Sequence, residues 1–258
     1  MKRNKIIVII PVYKSVLSDY DRISISRTCE VLASRDIVCI HPEGLDVGEV
    51  SRAFPSLEFK SFPKAFFEGI MGYNRMMMSS DFYSAFLDYD YMLICQTDAY
   101  IFRDELDDWC ARRYDYVGAP WLRRPVYDNP LLKICMRLSL WYKHFRGRKS
   151  KQDLYNKIGN GGLSLRKVSS HYEATIEKST LISDYLARTK KDHLFNEDVF
   201  WATEQPQFRY PSVEEALLFS FDKYPDLCFH LTGGRLPMGC HAWFKRKMKA
   251  FWDKHIPA

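Results

Sequence analysis

The sequence predicts an α/β protein in which a mostly parallel central sheet is flanked by helices. Three apolar segments carry that expectation: Ile6 to Ile10, Ile37 to Ile40, and Tyr91 to Cys95. Each is a continuous apolar run rather than an alternating one, which is the pattern of strands covered on both faces.

Taken in order, the first run closes with Pro11-Val12-Tyr13, and a helix with Ile23, Ile25, Val31 and Leu32 on its apolar side follows. The second run ends at His41-Pro42-Glu43-Gly44, completing a β-α-β unit. Leu57 to Phe62 alternates like a more peripheral strand, and Phe67 to Phe86 reads as a long helix or a helix pair leading into the third run. Beyond Phe102 the alternation weakens. Asp115 to Trp121 supplies one more short strand, Gly162 to Arg166 resumes a strand, and Ser169 to Arg188 reads as helix. Between them, Leu131 to Lys151 is a basic, aromatic stretch with the character of an insertion, and a basic tail covers 243–258. No repeat or flexible linker divides the chain, so 1–258 is expected to be one domain with halves 1–103 and 104–258.

With 258 residues, 47% hydrophobic and 15% aromatic, the chain can bury a substantial core. Its net charge of +6 is concentrated around Arg123 to Lys151 and near the C-terminus, which points to a local anionic partner. No helix-turn-helix, zinc-finger or RNA-binding signature accompanies these clusters, so nucleic acid is not expected. Anionic lipid head groups or a nucleoside diphosphate fit better. No apolar run approaches the roughly 20 residues that cross a bilayer, and no signal peptide is read at the start. Seven cysteines, odd in number and without a C-x-x-C pair, read as reduced thiols of a cytoplasmic protein.

Five segments could carry chemistry. The run from Tyr91 stops at Gln96-Thr97-Asp98 and turns apolar again, placing an acid at the tip of a buried strand, where a metal or another cation would offset its burial. The alternative is a turn or helix cap. Pro11, Val12 and Tyr13 end a second parallel strand, and ligands of open α/β sheets bind outside such ends. Tyr13 would stack on a base and Lys14 would meet a phosphate, unless Tyr13 is ordinary strand-end packing. Gly159-Asn160-Gly161-Gly162 supplies positive φ or close backbone approach, for a ligand or for a bulged strand start. Glu197 and Asp198 are adjacent acids in an apolar segment, either a base with raised basicity or a helix start capped by Asn196. His241 sits in a loop-like Gly-Cys-His-Ala-Trp setting; pairing with Asp98 would make it a metal ligand, and the alternative is a structural histidine.

Together these segments resemble the GT-A (Rossmann-like) glycosyltransferases, most of all the inverting galactosyltransferase type, over most of the chain. Ile10-Pro11-Val12-Tyr13 matches the nucleotide-contacting strand end, Tyr73-Asn74-Arg75 the aromatic-Asn-Arg helix segment near the donor, and Gln96-Thr97-Asp98 the D-x-D strand end. Gly161-Gly162-Leu163-Ser164, Glu197-Asp198 and His241 match the later glycine pair, acid pair and C-terminal histidine. The chain is also similar to a bacterial group of glycosyltransferase-like proteins of unassigned substrate, sharing G-Y-N, Q-x-D-A, G-N-G-G and E-D-x-F-W.

The resemblance implies a nucleotide-sugar half at 1–103 and an acceptor and catalytic half at 104–258. It implies a donor site of Pro11, Val12, Tyr13, Tyr73, Arg75, Gln96, Asp98, Gly161 and Gly162, and Mn²⁺ or Mg²⁺ on Asp98 and His241. A sugar would pass from a UDP-sugar to a glycan or lipid-linked acceptor of the cell surface, with Asp198 as inverting base and Glu197 orienting the acceptor. Gln96 departs from the D-x-D pattern, so one aspartate would anchor the metal, with water and phosphates completing its shell. The aromatic, cationic segments Leu131–Arg148 and Trp243–Trp252 imply peripheral attachment to the inner membrane face, unless their aromatics dock on the protein's own core. Two other classes compete. A sugar-phosphate nucleotidyltransferase would need a phosphate loop after the first strand, which Lys14-Ser15-Val16-Leu17-Ser18 lacks, and a non-catalytic membrane scaffold would bind lipid but no nucleotide sugar.

Overall fold

The structure is a computed structural model that describes residues 4–257. In chain order its regular elements are β1 (Ile6–Pro11), α1 (Asp19–Val31), β2 (Asp36–Pro42), α2 (Gly48–Ala53), β3 (Glu58–Phe62), α3 (Gly69–Met77), α4 (Ser80–Ser84) and β4 (Tyr91–Cys95). Then come β5 (Ala99–Ile101), α5 (Leu106–Ala111), β6 (Tyr116–Gly118), α6 (Pro130–Phe145), β7 (Leu163–Lys167), α7 (Val168–Glu177) and α8 (Ser179–Thr189). The chain closes with α9 (Glu197–Thr203), α10 (Val213–Phe219), β8 (Ser220–Phe221), α11 (Pro225–Leu231), β9 (Gly239–His241) and α12 (Arg246–Trp252).

Six strands form the central sheet in the order β3-β2-β1-β4-β7-β6. The first four run parallel, β7 runs against β4, and β6 runs against β7. Only β7 is therefore reversed, and the sheet is mostly parallel as expected. Both faces are covered. Ile7 and Ile9 of β1 enter one core with Phe82, Tyr83 and Trp201, while Ile6, Val8 and Ile10 enter another with Leu93, Trp109 and Leu165. That division is why the run showed no polar alternation.

The chain leaves β1 toward β2 and β3 and then returns to β4 on the other side of β1. The crevice at the carboxyl ends of β1 and β4 is thus a topological switch point. The α1 helix starts beneath it through a reciprocal cap: the Asp21 amide donates to Ser18 Oγ at 3.3 Å, and the Ser18 amide donates to Asp21 Oδ2 at 2.9 Å. The segment from Phe67 to Phe86 resolves into the helix pair α3 and α4.

A second sheet, ordered β5-β9-β8, brings the C-terminal region back to the crevice by pairing Ala99 with His241. The basic tail packs on a third core: Trp243, Phe251 and Trp252 are buried there, while Lys245, Arg246 and Lys247 face solvent. The tail aromatics are therefore turned into the protein, the alternative to a membrane-facing tail. Among the described residues, no helix is long and apolar enough to cross a membrane. All seven cysteines are unpaired.

Trp252 is fully buried against Phe102, Phe221 and Phe251. Trp252→Ala is expected to destabilise the fold by about 3–5 kcal/mol. Urea denaturation checks this, and an unchanged midpoint would mean that the tail is not docked.

Candidate active site

The register of the central sheet brings the separate sequence segments together. Ile9 pairs with Ile94, so Pro11, Val12 and Tyr13 emerge beside Gln96, Thr97 and Asp98. The Gln96 amide donates to the Gly162 carbonyl at 2.9 Å, which sets the glycine loop beside the same strand end. A cavity of about 280 Å³ opens here, lined by Tyr13, Asp21, Gln96, Thr97, Asp98 and Phe244.

The donor-side residues divide by exposure. Pro11 and Val12 are buried, and the Val12 amide donates to the Ile40 carbonyl at 2.9 Å. Tyr13 is partly open to solvent and packs edge-on against Phe67, with ring centroids 5.6 Å apart. The Tyr73 hydroxyl donates to the Gly161 carbonyl at 3.4 Å. Arg75, two residues on, is exposed on α3 and, among the described residues, makes no hydrogen bond or ion pair with the other site residues.

Asp98 and His241 meet directly. His241 Nε2 lies 3.0 Å from Asp98 Oδ1 and 3.3 Å from Gln96 Oε1, and its Nδ1 lies 3.1 Å from Asp222 Oδ1. A carboxylate can only accept, so Nδ1 carries a proton toward Asp222 and Nε2 carries one toward Asp98; Nε2 would have to give up its proton before it could meet a cation. Asn160 Nδ2 lies 3.2 Å from the same Nδ1. Lys245 Nζ sits 3.0 Å from the other Asp98 oxygen. Burial opposes charge on both partners. Even so, His241 and Lys245 hold the Asp98 carboxyl well below the usual range, and Asp222 and Asp98 raise His241 to about 9.

The sequence reading did not identify Asp222 or Lys245. Asp222 follows the apolar run Leu217 to Phe221, the same signal that identified Asp98. Lys245 is aimed by its neighbours: Trp243 Nε1 donates to Ser24 Oγ at 2.8 Å, and Phe244 stacks on Tyr20 at 4.8 Å.

The glycine loop joins this cluster to the acid pair. A Cβ on Gly162 would lie 2.2 Å from His241 Nε2, and one on Gly161 would lie 1.8 Å from Glu197 Oε1. These glycines serve close approach by the protein's own side chains. Positive φ falls instead on Asn160, at 67°, whose Oδ1 accepts from the Gly162 amide at 2.9 Å.

Glu197 is buried and paired with Arg166, whose Nη2 lies 3.0 Å from Oε2 and 3.3 Å from Oε1. Arg166, itself fully buried on β7, also donates to the Tyr83 hydroxyl at 2.8 Å. The Glu197 amide donates to Asn74 Oδ1 at 2.6 Å. Asn196 occupies the cap position of α9, but its side chain makes no capping bond and instead accepts from Asn74 Nδ2 at 3.4 Å, so Asn74 of α3 satisfies the first amide of the helix and holds the cap residue.

Burial outweighs Arg166 and, with the Asp198 charge, raises Glu197 to about 7. Asp198, half-exposed beside it, is also raised, by burial and then by the Asp222 charge. Asp222 thus acts electrostatically on both His241 and Asp198, and the two halves of the site share one field.

Asp98 Oδ1, Gln96 Oε1 and His241 Nε2 form an oxygen and nitrogen set suited to a divalent cation, with Asp222 holding the far side of the imidazole. Among the described residues, no group of three or more His, Cys, Asp or Glu is placed to hold a metal, so a cation here would depend on Gln96 for a third protein donor. The set fits as a partial shell that ligand phosphate and water would complete.

Glutamate 197 in the unfolded chain loses its proton near 4.5, but in the folded chain only near 7. Stability should therefore fall as pH rises through that window, because the folded state binds the extra proton. Glu197→Gln should flatten this slope in urea midpoints measured from pH 5 to 8; an unaltered slope would show that Glu197 does not titrate there.

A search of curated proteins finds no match to the chain. Among solved structures, it is similar to the galactosyltransferase LgtC in complex with donor and acceptor sugar analogues, at TM-score 0.57 and 10% identity, covering 97% of this chain and 93% of that one. It is similar to mouse xyloside xylosyltransferase 1 in its apo form at TM-score 0.51 and 12% identity, covering 91% and 96%. Streptococcus pneumoniae TIGR4 glycosyltransferase GlyE matches at TM-score 0.51 and 11% identity, covering 97% of this chain and 60% of that one. At these identities the likeness establishes the fold, which is that of GT-A glycosyltransferases. A family model described as "Protein of unknown function (DUF5672)" matches residues 56–241, most of the chain, and the chain belongs to that family.

Proposed function

We propose that this protein is a glycosyltransferase that moves a sugar from a nucleoside-diphosphate sugar, a UDP-sugar on our reading, to a glycan or lipid-linked acceptor of the cell surface. The observation that carries this reading is the convergence of Asp98, His241 and Lys245 with Glu197 and Asp198 across Gly161 and Gly162. On this reading the cations serve a diphosphate on one side of the glycine loop and a carboxylate of raised basicity serves the acceptor on the other.

On the donor side, Tyr13 is the exposed ring available for a base, and Tyr73 holds the Gly161 carbonyl beneath the sugar. Arg75 would have to turn from solvent to reach the donor. Lys245 and Lys14, paired with Asp98 and Asp21, are the exposed cations beside the strand ends. Asp98, Gln96 and His241 would hold Mn²⁺ or Mg²⁺, which when bound neutralises charge developing on a leaving diphosphate.

On the acceptor side, Asp198 receives the proton of the acceptor hydroxyl as that oxygen bonds the anomeric carbon. The bond from this carbon to the diphosphate oxygen breaks, and its electron pair leaves on the nucleoside diphosphate. In-line attack of this kind inverts the anomeric centre. Burial suits Asp198 to the task, since a carboxylate raised toward neutrality is the stronger base. Glu197, enclosed by Arg166 and Gly161, acts on the loop's position, and through it on the acceptor's orientation.

The test is a thermal-shift screen of UDP-, GDP-, CMP- and dTDP-sugars with and without Mn²⁺, followed by donor turnover with the responding sugar. Asp198→Asn is expected to keep the thermal shift but lose turnover by about 10²–10⁴-fold. Full turnover in that variant would remove Asp198 from the mechanism, and turnover indifferent to EDTA would remove the metal.

A further inference from the structure

The longest helix in the structure has no buried residue. The sixteen residues of α6 rest on the protein through half-buried Met136, Leu140 and Lys143, and the Gln152 side chain donates to the Met136 carbonyl at 3.0 Å. The opposite side is the more apolar. Leu131, Ile134, Leu138, Trp141, Tyr142 and Phe145 fall within about 100° of helical arc, and each is 54 to 74% exposed. Trp141 and Phe145 stack on one another at 5.7 Å, facing solvent.

The charge around this stripe is mostly positive, Asp153 against His144 being the acid that meets the helix. Between Asp128 and Asp153 there are seven lysines and arginines and no acid. Two copies of the chain meeting through this face would bring like charges together, which argues against a self-contact. An apolar stripe containing Trp, Tyr and Phe, bordered by cations, is complementary to lipid head groups over acyl chains.

We propose that α6 lies in the interface of an anionic lipid bilayer. The excursion that carries it is closed at its neck: Pro120 pairs with Ile158, the Trp121 amide donates to the Lys157 carbonyl at 3.0 Å, and the Trp121 ring occupies the space where Gly159 would carry a Cβ. That neck runs directly into Gly161 and Gly162, so the excursion that carries the bilayer-bound helix is joined to the glycine loop. If the transfer reaction above holds, the acceptor belongs to the class of amphiphiles whose hydroxyl group is presented at a membrane surface.

The experiment is co-sedimentation of the full chain with vesicles of phosphatidylcholine alone and of phosphatidylcholine mixed with phosphatidylglycerol, at low and high salt. Binding should favour the anionic vesicles and weaken with salt. The double variant Leu138→Glu with Trp141→Glu should bind at least about tenfold more weakly, with an unchanged melting temperature because neither side chain packs on the protein. Failure of the parent chain to bind, equal binding to both vesicle types, or equal binding by the variant would overturn the proposal. So would a dimer in sedimentation velocity that the same variant dissolves. None of these readouts needs a nucleotide sugar, so docking and glycosyl transfer can fail separately.

Discussion

The site rests on the missing side chains of Gly161 and Gly162. A single methyl on Gly162 would collide with the imidazole of His241, and one on Gly161 with the carboxylate of Glu197. Without that clearance, β9 could not pair His241 beside Asp98, and α9 could not bring its acids to the start of β7. Two backbone positions thus decide whether groups from five parts of the chain form one crevice or several unrelated surfaces.

Around this constraint the charges are arranged so that similar carboxyls behave differently. Asp98 faces His241 and Lys245 and is held ionised, whereas burial, and then the Asp222 charge, raises the proton affinity of Asp198. Pairs of acids pushed in opposite directions divide the work of binding cations and of accepting protons. Arg166 takes no part in that division by contact with solvent. It faces Glu197 inside the core, and removal of Glu197 would leave the buried guanidinium uncompensated.

Much of this was legible in the residues. Continuous apolar runs marked the parallel strands because both faces of the sheet are covered, and a run that ends on an acid marked Asp98. The same signal stood at Asp222 and went unused, since a two-residue strand, β8, gives too little pattern to place it in a sheet. The reversal of β7 was not readable: strand direction is set by which neighbour it meets, and Leu163 to Lys167 would look alike in either sense. Nor was Arg166, whose burial depends on Glu197, 31 residues away in the chain. The glycines were legible as a close approach, but what approaches them depends on α9 and β9. In the two basic aromatic segments, composition was alike and packing was opposite. The tail found a core to enter, and α6 found none.

The most direct test is calorimetric titration of a nucleoside diphosphate, with Mn²⁺ present, into the parent chain and into Gly162→Ala. The convergent site predicts binding by the parent and at least about tenfold weaker binding by a variant that still folds, since the added methyl displaces His241 from Asp98. Equal affinity in the two proteins would contradict the account, because the crevice would then not depend on the clearance that assembles it.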